Sequence, residues 1–429
     1  MQMVESDRKM RRGMKIAFLT LGCKLNYAET STYERGFIEA GWEVVKWTAK
    51  ADAYLVNTCS VTATSDSKSR NLVRKVHRVN PEAAIIVTGC SAELRRKELE
   101  RIDGVSRVFG AKEKSLVVPW TLAFCEGREL PDASSVPGIF PSFSSGERTR
   151  SFLKVQDGCN NYCNYCTVPY ARGESRNLTI AECVCQAERI ASMGIREIVL
   201  TGVNTGDFGR TTGESFLDLL RALNAVEGIE RYRISSIEPN LITDEIIDWI
   251  ASGTKFQPHF HIPLQVGCDE LLSAMGRRYD TEFFASKIEY IRKAMEKEGR
   301  PLVFFGLDVM AGLPGESDEL FEKTYEFLRD RVKPAFIHVF PYSRRPGTPA
   351  AEMPGQVSEE VKKQRVARLE ELCARLHADF IESNRGISEK VLFESTDKNG
   401  TMAGYTGNYI RIERPYDAAL SGKIVDIVI

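Results

Sequence analysis

SFLKVQDGCNNYCNYC, residues 151–166, runs from a short apolar segment, Phe152 to Gln156, straight into Cys159, Cys163 and Cys166. The segment predicts a β-strand, and the C-x3-C-x2-C spacing places three thiols on the loop that leaves its carboxyl end. Five more strand-like runs follow: Glu197 to Thr201, Arg233 to Ile237, Phe260 to Leu264, Pro301 to Val309 and Phe336 to Phe340, each preceded by a helix-like stretch. Repetition of strand and helix without hairpin signals predicts a partial (β/α)6 barrel, incomplete and therefore open. Ligand chemistry in such a barrel belongs at the carboxyl ends of the strands. There the cysteine loop follows the first strand, Gly202-Val203-Asn204 the second and Glu238-Pro239 the third.

Upstream, Lys15 to Thr20, Ala53 to Asn57 and Ala84 to Thr88 are strand-like and separated by amphipathic stretches such as Lys68 to Val79, which Pro81 stops. That alternation predicts a parallel α/β sheet. Each run leads into a cysteine: LTLGC ends at Cys23, VNTCS holds Cys59 and VTGC ends at Cys90. Ligands gather at the carboxyl edge of an open α/β sheet, so these three thiols are expected to converge. Pro, Ser and Gly crowd residues 131–150, which read as an extended linker. Val357 to Asn384 predicts one long charged helix. Glu389 to Ile429 alternates short runs (VLFES, TMAGYTG, NYIRIE, GKIVDIVI) with Gly and Asn turns, the pattern of a small antiparallel β-barrel. The expected fold class is α/β, with domains at 14–130, 145–375 and 380–429.

The 429 residues are 43% hydrophobic, enough for real cores in two or three domains. No run approaches the ~18 uncharged apolar residues of a membrane helix. Met1 to Arg12 is charged and lacks an apolar segment, so the expectation is a cytoplasmic protein with no membrane partner. A net charge of −1 excludes global attraction to a polyanion and leaves any nucleic-acid surface to a local patch. Eleven cysteines without a secretory signal point to ligands or nucleophiles rather than disulfides. Cys125, Cys183, Cys185, Cys268 and Cys373 lie in apolar or helical surroundings and are expected to be small buried hydrophobes. The other six need a chemical role.

Three thiolates at the spacing of Cys159, Cys163 and Cys166 can surround one cubane cluster while leaving its fourth iron without a protein ligand. An open iron can chelate the amino and carboxylate groups of S-adenosylmethionine, so that one electron splits a carbon–sulfur bond and yields a 5′-deoxyadenosyl radical. The competing reading is a structural zinc knuckle, but that takes four ligands, and no suitably spaced fourth Cys or His follows. Tyr405, Tyr409, Arg411, Arg414 and Lys423 interleave aromatic and basic residues as a nucleic-acid platform does, and equally as the wet face of an ordinary strand does. Arg172, Arg176, Arg277 and Arg278 could hold phosphate or carboxylate as bidentate donors, or serve in internal ion pairs.

The cysteine loop, with Tyr165 just before its last cysteine, is similar to the signature of the radical S-adenosylmethionine superfamily. LGCKLN, VNTCSVT, VTGCSAE, DGCNNYCNYCTVPYARG and HIPLQVGCDELLSAMGRRY, in this order, resemble the methylthiotransferase family over nearly the whole chain. GCKLN and the DSKSR segment after Cys59 resemble its MtaB type, which acts on N6-threonylcarbamoyladenosine at position 37 of tRNA.

The resemblance implies an N-terminal methylthiotransferase domain, a central radical domain and a C-terminal TRAM domain that binds RNA. It assigns Cys159, Cys163 and Cys166 to a radical [4Fe-4S] cluster and Cys23, Cys59 and Cys90 to an auxiliary one. It implies two S-adenosylmethionine molecules per turnover, one to methylate a sulfur held at the auxiliary cluster and one to supply the radical that takes the C2 hydrogen of adenine. No separate general base is assigned. Cofactor contacts are implied at Tyr165, Gly202, Asn204, Glu238, Gln265 and Gly312, although TGVN stands where the superfamily usually has GGE. Gly312 with Pro314 and Gly315 would also suit any tight turn, and Glu238 before Pro239 could cap a helix. Cys268, where relatives usually carry Ser, reads as a neutral replacement.

The implied partners are the tRNA anticodon loop, a reducing protein such as flavodoxin or ferredoxin, and a sulfur donor; a monomer is expected. Two alternatives remain open. One is a sister enzyme acting on isopentenyladenosine in tRNA or on a ribosomal-protein aspartate. The other is a non-catalytic iron–sulfur protein that binds RNA, against which stands the count of three ligands per cluster, because electron carriers complete their cubanes with four thiolates.

Overall fold

The computed structural model describes residues 13–60, 62–132, 138–146, 149–395, 397 and 399–429. The charged stretch 1–12, and residues 133–137 and 147–148 of the expected linker, lie outside the described residues. The chain divides into two bodies: Met1–Gly146 with Phe152–Asn161 and Thr167–Leu178, and Glu147–Ser151 with Tyr162–Cys166 and Thr179–Ile429.

In the first body, aliphatic runs separated by amphipathic stretches form five parallel strands: β1 (Lys15–Thr20), β2 (Glu43–Val45), β3 (Ala53–Thr58), β4 (Ala84–Gly89) and β5 (Val105–Val108), in the order β2-β1-β3-β4-β5. Strands β3 and β4 are buried at every position, as parallel strands covered on both faces must be. The covering helices are α1 (Lys24–Glu39), α2 (Ala63–Val79), α3 (Cys90–Leu94) and α4 (Val117–Cys125). Tyr54, Val56, Ile85 and Val87 pack with Val73 and Val76 of α2 on one face. Ile16, Leu55 and Ile86 pack with Tyr33 and Phe37 of α1 and with Val117 and Trp120 of α4 on the other.

The sequence reading missed β2 and β5, because EVV and VSRV are too short to show a period of two. It also began α2 five residues late. The polar start of that helix is secured by the Thr62 side chain, which accepts from the Ser65 amide at 3.1 Å. The chain continues through β6 (Arg150–Lys154), β7 (Gln156–Asp157), α5 (Val168–Arg172) and β8 (Arg176–Asn177), with β7 and β8 paired antiparallel.

The second body alternates α6 (Ile180–Ser192), β9 (Glu197–Thr201), α7 (Phe216–Asn224), β10 (Arg231–Ile234), α8 (Asp244–Ala251), β11 (His259–Gln265), α9 (Thr281–Met295), β12 (Phe304–Ala311), α10 (Asp318–Glu326) and β13 (Phe336–Pro341). β9 pairs parallel with β10, and β11, β12 and β13 form a parallel run. Helices α6 to α10 begin at Thr179, Ser215, Thr243, Asp280 and Ser317, each of which accepts a backbone N–H of the first turn and so stops the preceding loop. The long charged stretch is one helix, α11 (Glu359–Ser383).

After α11, β14 (Ser388–Phe393), β15 (Thr401–Tyr405), β16 (Arg411–Pro415) and β17 (Ile424–Val428) form an antiparallel sheet in the order β16-β15-β14-β17. Its small core is Val391, Phe393 and Met402 with Ile412, Val425 and Ile427. This agrees with the expected small C-terminal barrel. The sheet docks through its carbonyls: buried Arg233 donates to Thr406 O and Gly407 O at 2.7 Å each and to Glu197 Oε1 at 2.8 Å, and Arg231 donates to Tyr405 O at 3.1 Å. Among the described residues no helix is long and apolar enough to cross a membrane.

Candidate cluster and cofactor sites

Cys23 stands at the N-terminus of α1, three residues past the end of β1, Cys59 directly follows β3, and Cys90 is the first residue of α3 directly after β4. Strands β1, β3 and β4 are neighbours, so all three thiols leave the same edge of the first body. Asn26 ties these ends together: its side-chain amide donates to Leu21 O at 2.7 Å and to Thr58 O at 2.9 Å, the residues leading into Cys23 and Cys59. Thr58 extends the tie to the third end, donating to Thr88 O at 2.6 Å and accepting from Ala92 N at 3.1 Å. Gly22, at φ +103°, has no room for a side chain, because a Cβ there would stand 2.9 Å from Cys59 Sγ.

Beneath the thiols lies a buried ion cluster that the sequence did not announce. Glu29 Oε1 accepts from Lys114 at 2.7 Å, Lys154 at 2.8 Å and Arg172 at 3.3 Å. Asp157 receives Arg172 at 2.9 Å and Lys154 at 2.8 Å. Three buried cations thus face two buried carboxylates, a surplus of one positive charge. Burial alone would raise both carboxyl groups, but Lys114, Lys154 and Arg172 overcome it and hold each below its ordinary range. Burial pushes the Cys90 thiol up to about 11, against the attraction of Arg172 and Lys114 and helped by Cys23 and Cys59, so the three sulfurs sense one another.

Arg172 is therefore a bridge and not a free fork. It spends its guanidinium on Asp157, Glu29 and, at 2.6 Å, Asn26 Oδ1, the internal ion-pair alternative among its two readings. Arg176, half-buried, reaches Asp157 at 3.4 Å and the Arg172 carbonyl at 2.7 Å.

The cysteine loop begins in the first body, where the Cys159 amide donates to Gly173 O at 3.1 Å and Asn160 Oδ1 accepts from Ser175 N at 2.9 Å. In the second body Cys166 N donates to Cys163 O at 2.9 Å, and Asn164 anchors the segment through Met275 O at 3.0 Å and Ala274 O at 2.8 Å. Arg277 gathers the surrounding groups. Its buried guanidinium donates to Glu238 Oε2 at 2.6 Å, Tyr279 Oη at 2.7 Å, Pro263 O at 3.1 Å, Cys163 Sγ at 3.3 Å and Tyr165 Oη at 3.4 Å. Burial raises the Glu238 carboxyl, with Arg277 opposing. Arg278 is exposed and within electrostatic reach of Glu238.

Asn204 Oδ1 accepts from Glu238 N at 3.2 Å, which links the expected contacts after β9 and β10, where Gly202 also lies. Gln265 ends β11 in left-handed backbone, φ +71°, beside a register shift, a strained position of the kind found at ligand sites. Gly312, at φ +81°, donates its N–H to Glu316 at 2.6 Å and lies so close to Lys362 that a Cβ would meet that side chain at 2.2 Å.

On the C-terminal sheet, Tyr409 packs against His259, Phe304, Arg233 and Tyr405, and Arg150 lies 4.6 Å over the Tyr405 ring. These two tyrosines are half-buried, whereas Arg411, paired with Glu413, and Arg414 and Lys423 are exposed. Cys183, Cys268 and Cys373 are buried and Cys125 is half-buried. Cys185 corrects the expectation of burial: it is exposed, because it stands about 200° around α6 from buried Cys183. Sequence reading also missed His261, Asp308 and His338, whose donor atoms on β11, β12 and β13 lie within 4.8 Å of one another. Their only sequence signal is a polar residue alternating with apolar ones inside each strand.

Residues 15–110 match the family described as Uncharacterized protein family UPF0004, and residues 153–328 match the Radical SAM superfamily. Threonylcarbamoyladenosine tRNA methylthiotransferase MtaB of Bacillus subtilis (strain 168) is 39% identical, over 96% of this chain and 93% of that protein. The protein of the same name from Aquifex aeolicus (strain VF5) is 36% identical, over 97% and 100%. The tRNA-2-methylthio-N(6)-dimethylallyladenosine synthase of Carboxydothermus hydrogenoformans is 30% identical, over 96% and 95%. Among solved structures, the radical S-adenosylmethionine methyltransferase TsrM from Kitasatospora setae, with cobalamin and a [4Fe-4S] cluster bound, shares the fold at a TM-score of 0.58, with 15% identity over 79% of this chain and 77% of that one. The chain belongs to the radical S-adenosylmethionine tRNA methylthiotransferase family, whose chemistry brings with it a [4Fe-4S] cluster and S-adenosylmethionine.

Proposed function

We propose that this enzyme places a methylthio group on C2 of N6-threonylcarbamoyladenosine at position 37 of tRNA, using Cys159, Cys163 and Cys166 for a radical cluster and Cys23, Cys59 and Cys90 for an auxiliary one. The observation that carries the choice of substrate is the grading of identity. The relatives named for threonylcarbamoyladenosine are 33–39% identical over nearly the whole chain, and those named for dimethylallyladenosine are 30–32% identical.

The residues present suit a thiolate-bound cluster at the auxiliary position. The donors are soft sulfurs from three adjacent strand ends, Gly22 keeps the space beside Cys59 clear, and the buried cation surplus offsets the negative charge that thiolates bring. Bound at Cys159, Cys163 and Cys166, a cluster supplies the electron that splits S-adenosylmethionine. The chain's own contribution is positioning. Asn26 and Thr58 fix the three strand ends, Arg172 locks that frame to Asp157, and Arg277 holds Glu238 and Tyr165 beside Cys163. Two S-adenosylmethionine molecules per turnover, a small reducing protein and a sulfur donor complete the reading, in a cytoplasmic monomer.

The test is anaerobic reconstitution followed by reaction with tRNA carrying the threonylcarbamoyl nucleoside, with the digest read by mass spectrometry. The expected result is about eight irons per chain, 5′-deoxyadenosine, and a methylthio mark on that nucleoside. Product on isopentenyl tRNA alone would overturn the substrate, and unchanged 5′-deoxyadenosine in Cys159→Ala would overturn the radical assignment.

A further inference from the structure

On β11, β12 and β13 the side chains of His261, Asp308 and His338 form a polar wall that none of the assignments above uses. Parallel strands are ordinarily covered on both faces. Here the face that carries His261, Asp308 and Met310 is only partly covered, and His338 and Phe340 on β13 are exposed, Phe340 by 43%. Asp308 and His338 are direct register partners, and Asp308 pairs with Pro263, two residues from His261, so all three polar side chains share one face. The His261 and His338 rings lie nearly parallel, 10° apart with centroids at 5.1 Å. His261 Nε2 is 3.0 Å from Asp308 Oδ1 but outside hydrogen-bonding direction, so this buried nitrogen has no hydrogen-bond partner among the described residues.

The wall is continuous with the cluster loop. Arg277 reaches Cys163 at 3.3 Å and donates to Pro263 O at 3.1 Å, and Pro263 is the register partner of Asp308. A molecule reacting near that loop would present its outlying substituent to His261, Asp308 and His338.

We infer that His261, Asp308 and His338 form the subsite that reads the N6 substituent of the target adenine and selects a polar, carboxylate-bearing group over a hydrocarbon one. This rests on the substrate reading proposed above and names the residues that would enforce it. A ureido-linked amino acid offers N–H donors, a hydroxyl and carboxylate acceptors, which suit one carboxylate and two imidazoles. An isopentenyl group offers none, and would cover the His261 Nε2 atom, which has no hydrogen-bond partner among the described residues, with hydrocarbon, at about 1–3 kcal/mol. Sites built to bond a polar group reject analogues lacking it far more strongly than apolar pockets reject an extra methylene. Phe340, two residues beyond His338 on the same face, is placed to stack on an unpaired base.

The experiment compares kcat/KM of the reconstituted enzyme on tRNA bearing threonylcarbamoyladenosine and on tRNA bearing isopentenyladenosine, for wild type, His338→Leu, Asp308→Asn and His338→Gln. A general loss of fold or of cluster cancels in the ratio. The expected result is a wild-type preference for the threonylcarbamoyl substrate that falls by about tenfold or more in His338→Leu and in Asp308→Asn, with part of the loss recovered in His338→Gln. A ratio unchanged in the variants would overturn this inference and leave the proposed substrate standing. A stoichiometric metal ion bound in wild type and lost in His338→Leu would overturn it too, because the ring nitrogens would then be ligands. A wild type that prefers isopentenyl tRNA would overturn both readings.

Discussion

Glu29 is the residue on which the first body's interior balances. It is one of two buried carboxylates among three buried cations, and all three cations reach its Oε1 atom. Glu29→Gln leaves Lys114, Lys154 and Arg172 with Asp157 as their only buried counter-charge among the described residues, and removing one partner of such a set costs about 3–5 kcal/mol. A lowered denaturation midpoint of the apoprotein is the expected reading. The pH dependence has a definite sign. The carboxyl groups of Glu29 and Asp157 are held below their ordinary range in the folded chain. Their contribution to stability is therefore fully present above about pH 4 and is lost as pH falls toward their folded values. Between about pH 5 and 2 the wild type should lose more stability than Glu29→Gln; coincident acid profiles would show that Glu29 carries no such stabilisation.

At the scale of elements, the C-terminal sheet is held by backbone carbonyls reaching arginines on β10. Arg233 donates to two of these carbonyls and to Glu197, all in a dry interior where charged hydrogen bonds are worth about 1.5–3 kcal/mol each. In Arg233→Ala the amides of β14 to β17 should exchange with deuterium on the order of 100-fold faster, with the strands of the first body unaffected. Equal exchange rates would mean that Val391, Phe393 and Met402 hold the sheet by themselves. The half-buried Tyr405 and Tyr409 belong to this docking, which is why a pattern of interleaved aromatic and basic residues does not separate a structural contact from an RNA platform.

For the whole molecule, a net charge of −1 means that tRNA must be met by local cations. Arg414 and Lys423 are exposed on the C-terminal sheet. The double change Arg414→Glu and Lys423→Glu should weaken tRNA binding and make the slope of log affinity against log salt shallower by about 1–2, with the thermal midpoint unchanged. An unaltered slope would remove that face from the tRNA contact. Much of this organisation was legible beforehand. The strands that lead to Cys23, Cys59, Cys90 and the loop of Cys159, the long helix expected over residues 357–384 and found at 359–383, and the alternating C-terminal runs stand close to where the residues alone put them. These are short-range properties: a side-chain period marks an element, and chain continuity carries the next cysteine to its end. The sequence by itself therefore determined most of the elements, β2 and β5 excepted, and the six thiols that follow strand ends. Only the tertiary structure decided that Lys154 meets Glu29 from 125 residues away, that Arg172 is internal, and that His261, Asp308 and His338 share one wall. Those outcomes depend on burial and on the approach of elements remote in the chain, where desolvation sets which charges must pair, and no local pattern of residues encodes that approach.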